Sequence, residues 1–125
     1  MNEVSTNVNE VADEVYADRV IRNGLVAVLY SPGYGAGWRT WNDDYGDAIL
    51  FDPWIVDVLL SDEYTRDEKT QRILAHCAVK YPDAYTGGVE DLCIEWIPQG
   101  TAFRIEEYDG NENIEYRDTT DWITA

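Results

Sequence analysis

The stretch DLCIEWIPQGTAFRIEEYDGNENIEYR, Asp91 to Arg117, decides the fold, because its apolar residues alternate with charged ones and two turn signals divide it. With Pro98–Thr101 as a four-residue loop, Trp96 faces Phe103 and Ile94 faces Ile105. With Asp109-Gly110 as a two-residue turn, Ile105 faces Ile114 and Phe103 faces Tyr116. Both registers collect the apolar side chains on one face and set Arg104 between Glu95 and Glu115 on the other. A slip of one residue in either hairpin would mix Glu with Ile across the core. The pattern predicts a three-stranded antiparallel meander.

Working back toward the N-terminus, Asn23-Gly24 separates two apolar runs, and this pair suits a type I′ turn, which needs positive φ at both positions. Strands are expected near 15–22 and 25–30, with a further short strand at Asp47–Phe51 (DAILF). Asp52-Pro53 reads as an N-cap with proline at the first helical position, opening a helix through about Leu60 whose buried stripe is Trp54, Ile55, Val58 and Leu59. Thr65 and Glu68 have capping-box spacing, and Ile73, Leu74, Cys77, Ala78 and Tyr81 recur at helical intervals until Pro82, which predicts a second helix over 66–80. The fold class expected is α+β: an antiparallel sheet, built from an N-terminal hairpin and the C-terminal meander, packed with two consecutive helices. This domain spans 15–125. Residues 1–14 place Val4, Val8 and Val11 in a heptad-like stripe that continues to Val15, beside an Asn7–Glu10 capping pair; they read as an acidic tail or a docking helix.

The chain has 125 residues, 45% of them apolar and 13% aromatic, which suits one domain with a real core. Nine basic against 25 acidic side chains give a net charge of −16, so direct contact with nucleic acid or an anionic membrane is opposed and a basic partner surface is attracted. Two cysteines, Cys77 and Cys93, make neither a disulfide framework nor a zinc quartet. The N-terminal residues lack the basic and apolar regions of a secretory signal, and no run approaches a transmembrane helix; a cytoplasmic protein with reduced thiols is expected.

Most catalytic chemistry is disfavoured. The one histidine, His76, neighbours Cys77 on the second helix, where adjacent residues diverge by about 100° and cannot form a nucleophile–base pair. Its face is shared with Arg72 and Lys80, which reads as surface. No HExxH, CxxC or P-loop pattern occurs. Asp43, Asp44 and Asp47 could take a hard cation, but their spacing is not that of an EF-hand and solvated loop charges fit them better. No catalytic residue, metal site or cofactor is assigned.

The stretch SPGYGAGWRTWN, Ser31 to Asn42, is the less ordinary feature. Gly35 and Gly37 lack a Cβ and could bring backbone donors close to a ligand, Tyr34, Trp38 and Trp41 could stack a ring, and Arg39 with Asn42 could pair an anion. The order GYGAGW is not the dinucleotide fingerprint, which needs G-x-G-x-x-G opening a helix. Two readings stand side by side: a ligand-binding loop, or tryptophans that plug the end of the sheet with glycines making the bend.

SPGYGAGWRTWN, GTAFRIEEYDG and the closing DWITA together resemble small, acidic, uncharacterised proteins of phages and prophages. The resemblance implies a viral setting inside a host cell, in which small non-enzymatic proteins act against host defence. Two functions are therefore expected to compete. The first is a binding module, as a monomer or as a homodimer or higher oligomer, that sequesters a nucleotide-like small molecule at 31–42. The second is an acidic inhibitor that imitates nucleic acid and blocks a basic groove of a host protein.

Overall fold

The computed structural model describes residues 19–116. The expected tail or docking helix at 1–14 and the DWITA motif lie outside the described residues. Among the described residues, two antiparallel sheets and three α-helices make the α+β architecture. In the first sheet, β1 (Ile21–Arg22) pairs with β2 (Leu25–Tyr30), and β2 pairs with β3 (Cys93–Pro98). The second sheet is a hairpin of β4 (Phe103–Tyr108) and β5 (Asn111–Tyr116). Between them run α1 (Gly46–Phe51), α2 (Pro53–Leu60) and α3 (Arg66–Lys80).

Both two-residue turns form as their sequences require. Asn23 and Gly24 have φ of 53° and 78°, and Asp109 and Gly110 have 53° and 84°, the two consecutive positive values of a type I′ turn. The β4–β5 register sets Ile105 opposite Ile114, Phe103 opposite Tyr116 and Arg104 opposite Glu115, as the alternation predicts. Of the strand expected at 15–22, Ile21–Arg22 forms within the described residues, and 15–18 lie outside them.

The three-stranded meander does not form. β3 pairs with β2, not with β4: Ile94 faces Leu29, Trp96 faces Ala27 and Ile97 faces Val26. The reason lies in LVAVLY, which is apolar on both faces and so needs a neighbour on each edge and a layer against each face. β3 supplies the second neighbour. Ala27 and Leu29, with Ile94 and Trp96 beside them, pack toward α2 and α3, where Ile55, Val56, Ile73, Cys77 and Tyr81 complete the larger core. Val26, Val28 and Ile97 face the other way and are covered by Leu50, Phe51, Phe103, Ile105 and Ile114. The β4–β5 hairpin is thus a separate layer over the sheet. Glu95 pairs with Val28 instead of with Arg104, and the Tyr116 hydroxyl of the overlying hairpin donates to its carboxylate.

DAILF is helical, not a strand. Its three buried residues serve two clusters: Ile49 enters the larger core while Leu50 and Phe51 turn to the smaller one, a division that successive helical steps of about 100° allow. The N-cap of α2 is as expected, with Pro53 at the first position and Asp52 Oδ1 accepting from the N–H groups of Trp54 and Ile55 at 2.9 and 3.2 Å. Its buried stripe is Ile55, Val56 and Val58, whereas Trp54 is exposed. The Thr65–Glu68 capping box opens α3, with both reciprocal hydrogen bonds present.

Candidate functional site

The loop 31–42 is tied down by the tip of the distant β4–β5 hairpin. Gly35 N–H donates to the Asp109 carbonyl at 2.6 Å and Gly37 N–H to the Gly110 carbonyl at 2.7 Å. The backbone approach is close enough that a Cβ on Gly110 would lie 2.8 Å from the nitrogens of Gly35 and Ala36. A second tie is Glu112, whose side chain is fully buried at the start of β5. One of its oxygens accepts from Ser31 N–H at 3.0 Å, and the other accepts from the Thr40 N–H and hydroxyl at 2.7 and 2.8 Å. A single carboxylate therefore spans the loop from its first residue to its tenth.

The seven residues expected to hold a ligand divide three ways. Gly35, Gly37, Trp38 and Asn42 make structural bonds. Trp38 is fully buried and its indole N–H donates to the Ile49 carbonyl at 2.9 Å. Asn42 is buried, donates to the carbonyls of Trp38 and Tyr85, and accepts from Tyr85 N–H at 2.7 Å. Tyr34 and Trp41 stand at the exposed end of the loop, Trp41 with its ring over Gly37, where a Cβ would lie 2.2 Å from it. Arg39 alone points into a cleft.

That cleft, about 500 Å³, lies between α1 and β4. Leu50, Phe51, Phe103 and Ile105 give it an apolar wall, with the two phenylalanine rings edge to face at 6.5 Å. Arg39 is joined there by Arg19 and Arg104, three of the chain's nine basic residues. The Arg19 guanidinium lies 3.9 Å from the centre of the Phe51 ring. Each arginine also meets carboxylates: Arg39 pairs with Asp43 at 2.6 Å, Arg19 with Asp47 at 3.9 Å, and Arg104 with Glu106 and Glu115. Asp43 and Asp47 are both mostly exposed. The sequence marks Arg39 within its loop and Arg19 as a basic residue able to offset the acidic field, but it pairs Arg104 between Glu95 and Glu115, so the convergence of all three on one cleft comes only with the tertiary fold.

A second polar cluster surrounds Asp52. This carboxylate is fully buried, and its Oδ2 lies 2.9 Å from His76 Nε2, 2.6 Å from the Tyr81 hydroxyl that donates to it, and 3.3 Å from Lys80 Nζ. Burial pushes the carboxyl upward, but the hydrogen bonds from Tyr81, His76 and Ile55 N–H and the charge of Lys80 outweigh it and hold the group below its ordinary range. His76 is therefore not a plain surface residue. It is mostly buried and stacks on Trp54, ring centres 4.4 Å apart at an interplanar angle of 11°. The spacing of His76, Lys80 and Tyr81 on one side of α3 was the signal available for this cluster. Cys77, facing the core, is pushed up to about 11 by burial, with Asp52 adding to the effect, so it is a poor nucleophile.

Among the described residues no group of three or more His, Cys, Asp or Glu side chains is placed to hold a metal ion, and no helix is long and apolar enough to cross a membrane. Comparison with protein-family models, with curated proteins and with solved structures finds no match to this chain.

Proposed function

We propose that this chain is a non-enzymatic binding protein whose cleft between α1 and β4 captures a nucleotide-like ligand. The observation that carries the reading is the convergence of Arg19, Arg39 and Arg104 on one apolar-walled cleft in a protein with a net charge of −16. A cleft of about 500 Å³ is within the usual range of small-molecule sites, roughly 300–1,000 Å³, and admits a mononucleotide. The base packs against the half-buried Phe103, and the phosphate meets Arg39 and Arg104. Asp43 and Asp47 do not block this exchange, because exposed ion pairs contribute only about 0–1 kcal/mol and their carboxylates can swing into water. A phosphate paired with a guanidinium gains a charge-assisted bond of roughly 1.5–3 kcal/mol. In the viral setting implied by the resemblance, such capture removes a signalling nucleotide from its host receptor.

Calorimetric titration of the full chain with nucleoside monophosphates, the parent nucleosides and inorganic phosphate tests this. The monophosphate should bind at least ten-fold more tightly than either fragment, and Arg39→Ala and Arg104→Ala should each weaken it by about ten-fold or more, the equivalent of ~1.4 kcal/mol. Arg66→Ala, remote from the cleft, should not change it. No binding by any of these compounds, or equal binding by the Arg39→Ala protein, rejects the reading.

A further inference from the structure

The opposite use of the 31–42 loop concerns its exposed aromatics. Among the described residues six aromatic side chains are exposed, and four of them gather at one end of the molecule: Tyr34 at 72%, Tyr108 at 75%, and Trp41 and Tyr85 at 42% each. They form one surface. Tyr34 and Tyr108 meet edge to face with ring centres 6.3 Å apart, Trp41 and Tyr85 meet likewise at 5.0 Å, and the Tyr85 hydroxyl joins the two pairs by donating to the Gly35 carbonyl at 2.6 Å. Their scaffold is tied together: the hairpin-tip bonds and the buried Glu112 join the loop that carries Tyr34 and Trp41 to the hairpin that carries Tyr108, and Asn42 accepts from Tyr85 N–H. Exposed carboxylates flank the patch residues in sequence: Asp109 follows Tyr108, Asp83 precedes Tyr85 by two residues, and Asp44 lies three residues beyond Trp41.

We propose that this end docks an arginine-rich segment of a partner protein. Aromatic faces with exposed carboxylates beside them in the chain suit a guanidinium in two ways: its plane stacks on a ring, and its edge pairs with an acid. The net charge of −16 draws a cationic partner in and opposes the other ligand that aromatic platforms serve, single-stranded nucleic acid. Exposed tyrosine and tryptophan are also the residues that carry interfaces, because they bring large area with little rotamer freedom to lose. This surface is separate from the Arg39 cleft, so it stands whether or not the cleft binds a nucleotide.

The test uses three fluorescent probes on the full chain at physiological salt: a ten-residue peptide alternating Gly and Arg, the same peptide with Lys for Arg, and a ten-nucleotide single-stranded DNA. The arginine peptide should bind at least five-fold more tightly than the lysine peptide, and the DNA should not bind. Tyr34→Ser with Tyr108→Ser, two highly exposed positions, should lower arginine-peptide affinity five-fold or more, while Arg66→Ala, remote from the patch, leaves it unchanged. An unchanged melting temperature in the double variant assigns that loss to the surface. Equal affinity for the two peptides, or an unaffected double variant, shows non-specific attraction to a polyanion and overturns the proposal. Binding of the DNA lost in the double variant makes the patch a base-stacking surface and overturns it equally.

Discussion

Replacing Glu112 with alanine should cost more stability than any surface change in the loop it organises. The wild-type carboxylate is fully buried and accepts three hydrogen bonds, from Ser31 N–H, Thr40 N–H and the Thr40 hydroxyl. Ser31 is itself fully buried, so its N–H would lose its partner where water does not reach. An orphaned buried donor costs about 1–3 kcal/mol. Thr40 is half-buried and can recover part of its loss from water, adding roughly 1 kcal/mol or less, and the vacated side-chain volume adds about another 1 kcal/mol. The total is on the order of 2–5 kcal/mol, a large share of the ~5–15 kcal/mol that a domain typically has. Glu112→Gln keeps the volume and one acceptor but turns an NH₂ toward a donor, and should lie between the two. Glu115→Ala, an exposed partner of Arg104 on the same strand, should stay within about 1 kcal/mol of wild type. Urea unfolding followed by tryptophan fluorescence compares the three, since Trp38 is buried under the same loop. A Glu112→Ala midpoint equal to that of Glu115→Ala would refute the claim that this carboxylate holds the loop in place.

Two further outcomes follow from other buried groups. Because the folded state holds the Asp52 carboxyl below its ordinary value, its contribution to stability is present above about pH 4, the unfolded value, and is lost as the pH falls through the folded value. Acid titration of urea midpoints should therefore show a fall below about pH 4 that Asp52→Asn removes, and a wild-type curve of the same shape as the variant's would contradict this. Burial pushes the Cys77 thiol up to about 11, and burial also raises Cys93, which is only half-buried; iodoacetamide at pH 8 should leave Cys77 unmodified by mass spectrometry until urea unfolds the chain. Labelling of Cys77 in the native protein would show that its side of α3 opens.

What the sequence conveys here is mostly local. Asn23-Gly24 and Asp109-Gly110 each specify a turn within two residues, and Asp52-Pro53 and Thr65–Glu68 each specify a helix start within four, because the partners of those groups are their own near neighbours. The partner of β3 is another matter. Alternation in CIEWIP fixes which residues share a face, yet it does not say whether the adjacent strand is β4, next in sequence, or β2, distant in sequence. The information that decides it sits in LVAVLY, whose apolar character on both faces demands two neighbours and two layers. The site divides in the same way. Loop 31–42 is recognisable as unusual from its glycines and tryptophans, but its N–H groups turn to carbonyls at 109 and 110, which no local pattern could reveal. Glu112 did carry a signal: in the β5 alternation it occupies the same face as Ile114, and a carboxylate on an inward face requires buried donors. Asp52 likewise identified itself as an N-cap through one oxygen, while the partners of the other come from the last turn of α3.

The most direct test of the central claim, that Arg39 serves a ligand cleft while the rest of its loop serves the fold, is a pair of native mass spectra. Wild-type and Arg39→Ala full chains are each incubated with the same equimolar mixture of nucleoside monophosphates and sprayed under identical conditions. The account predicts a wild-type peak carrying the mass of one nucleotide, and an Arg39→Ala protein with an unchanged charge-state distribution that carries none. Bare polypeptide mass in both spectra, or an equal nucleotide adduct on both, would contradict it.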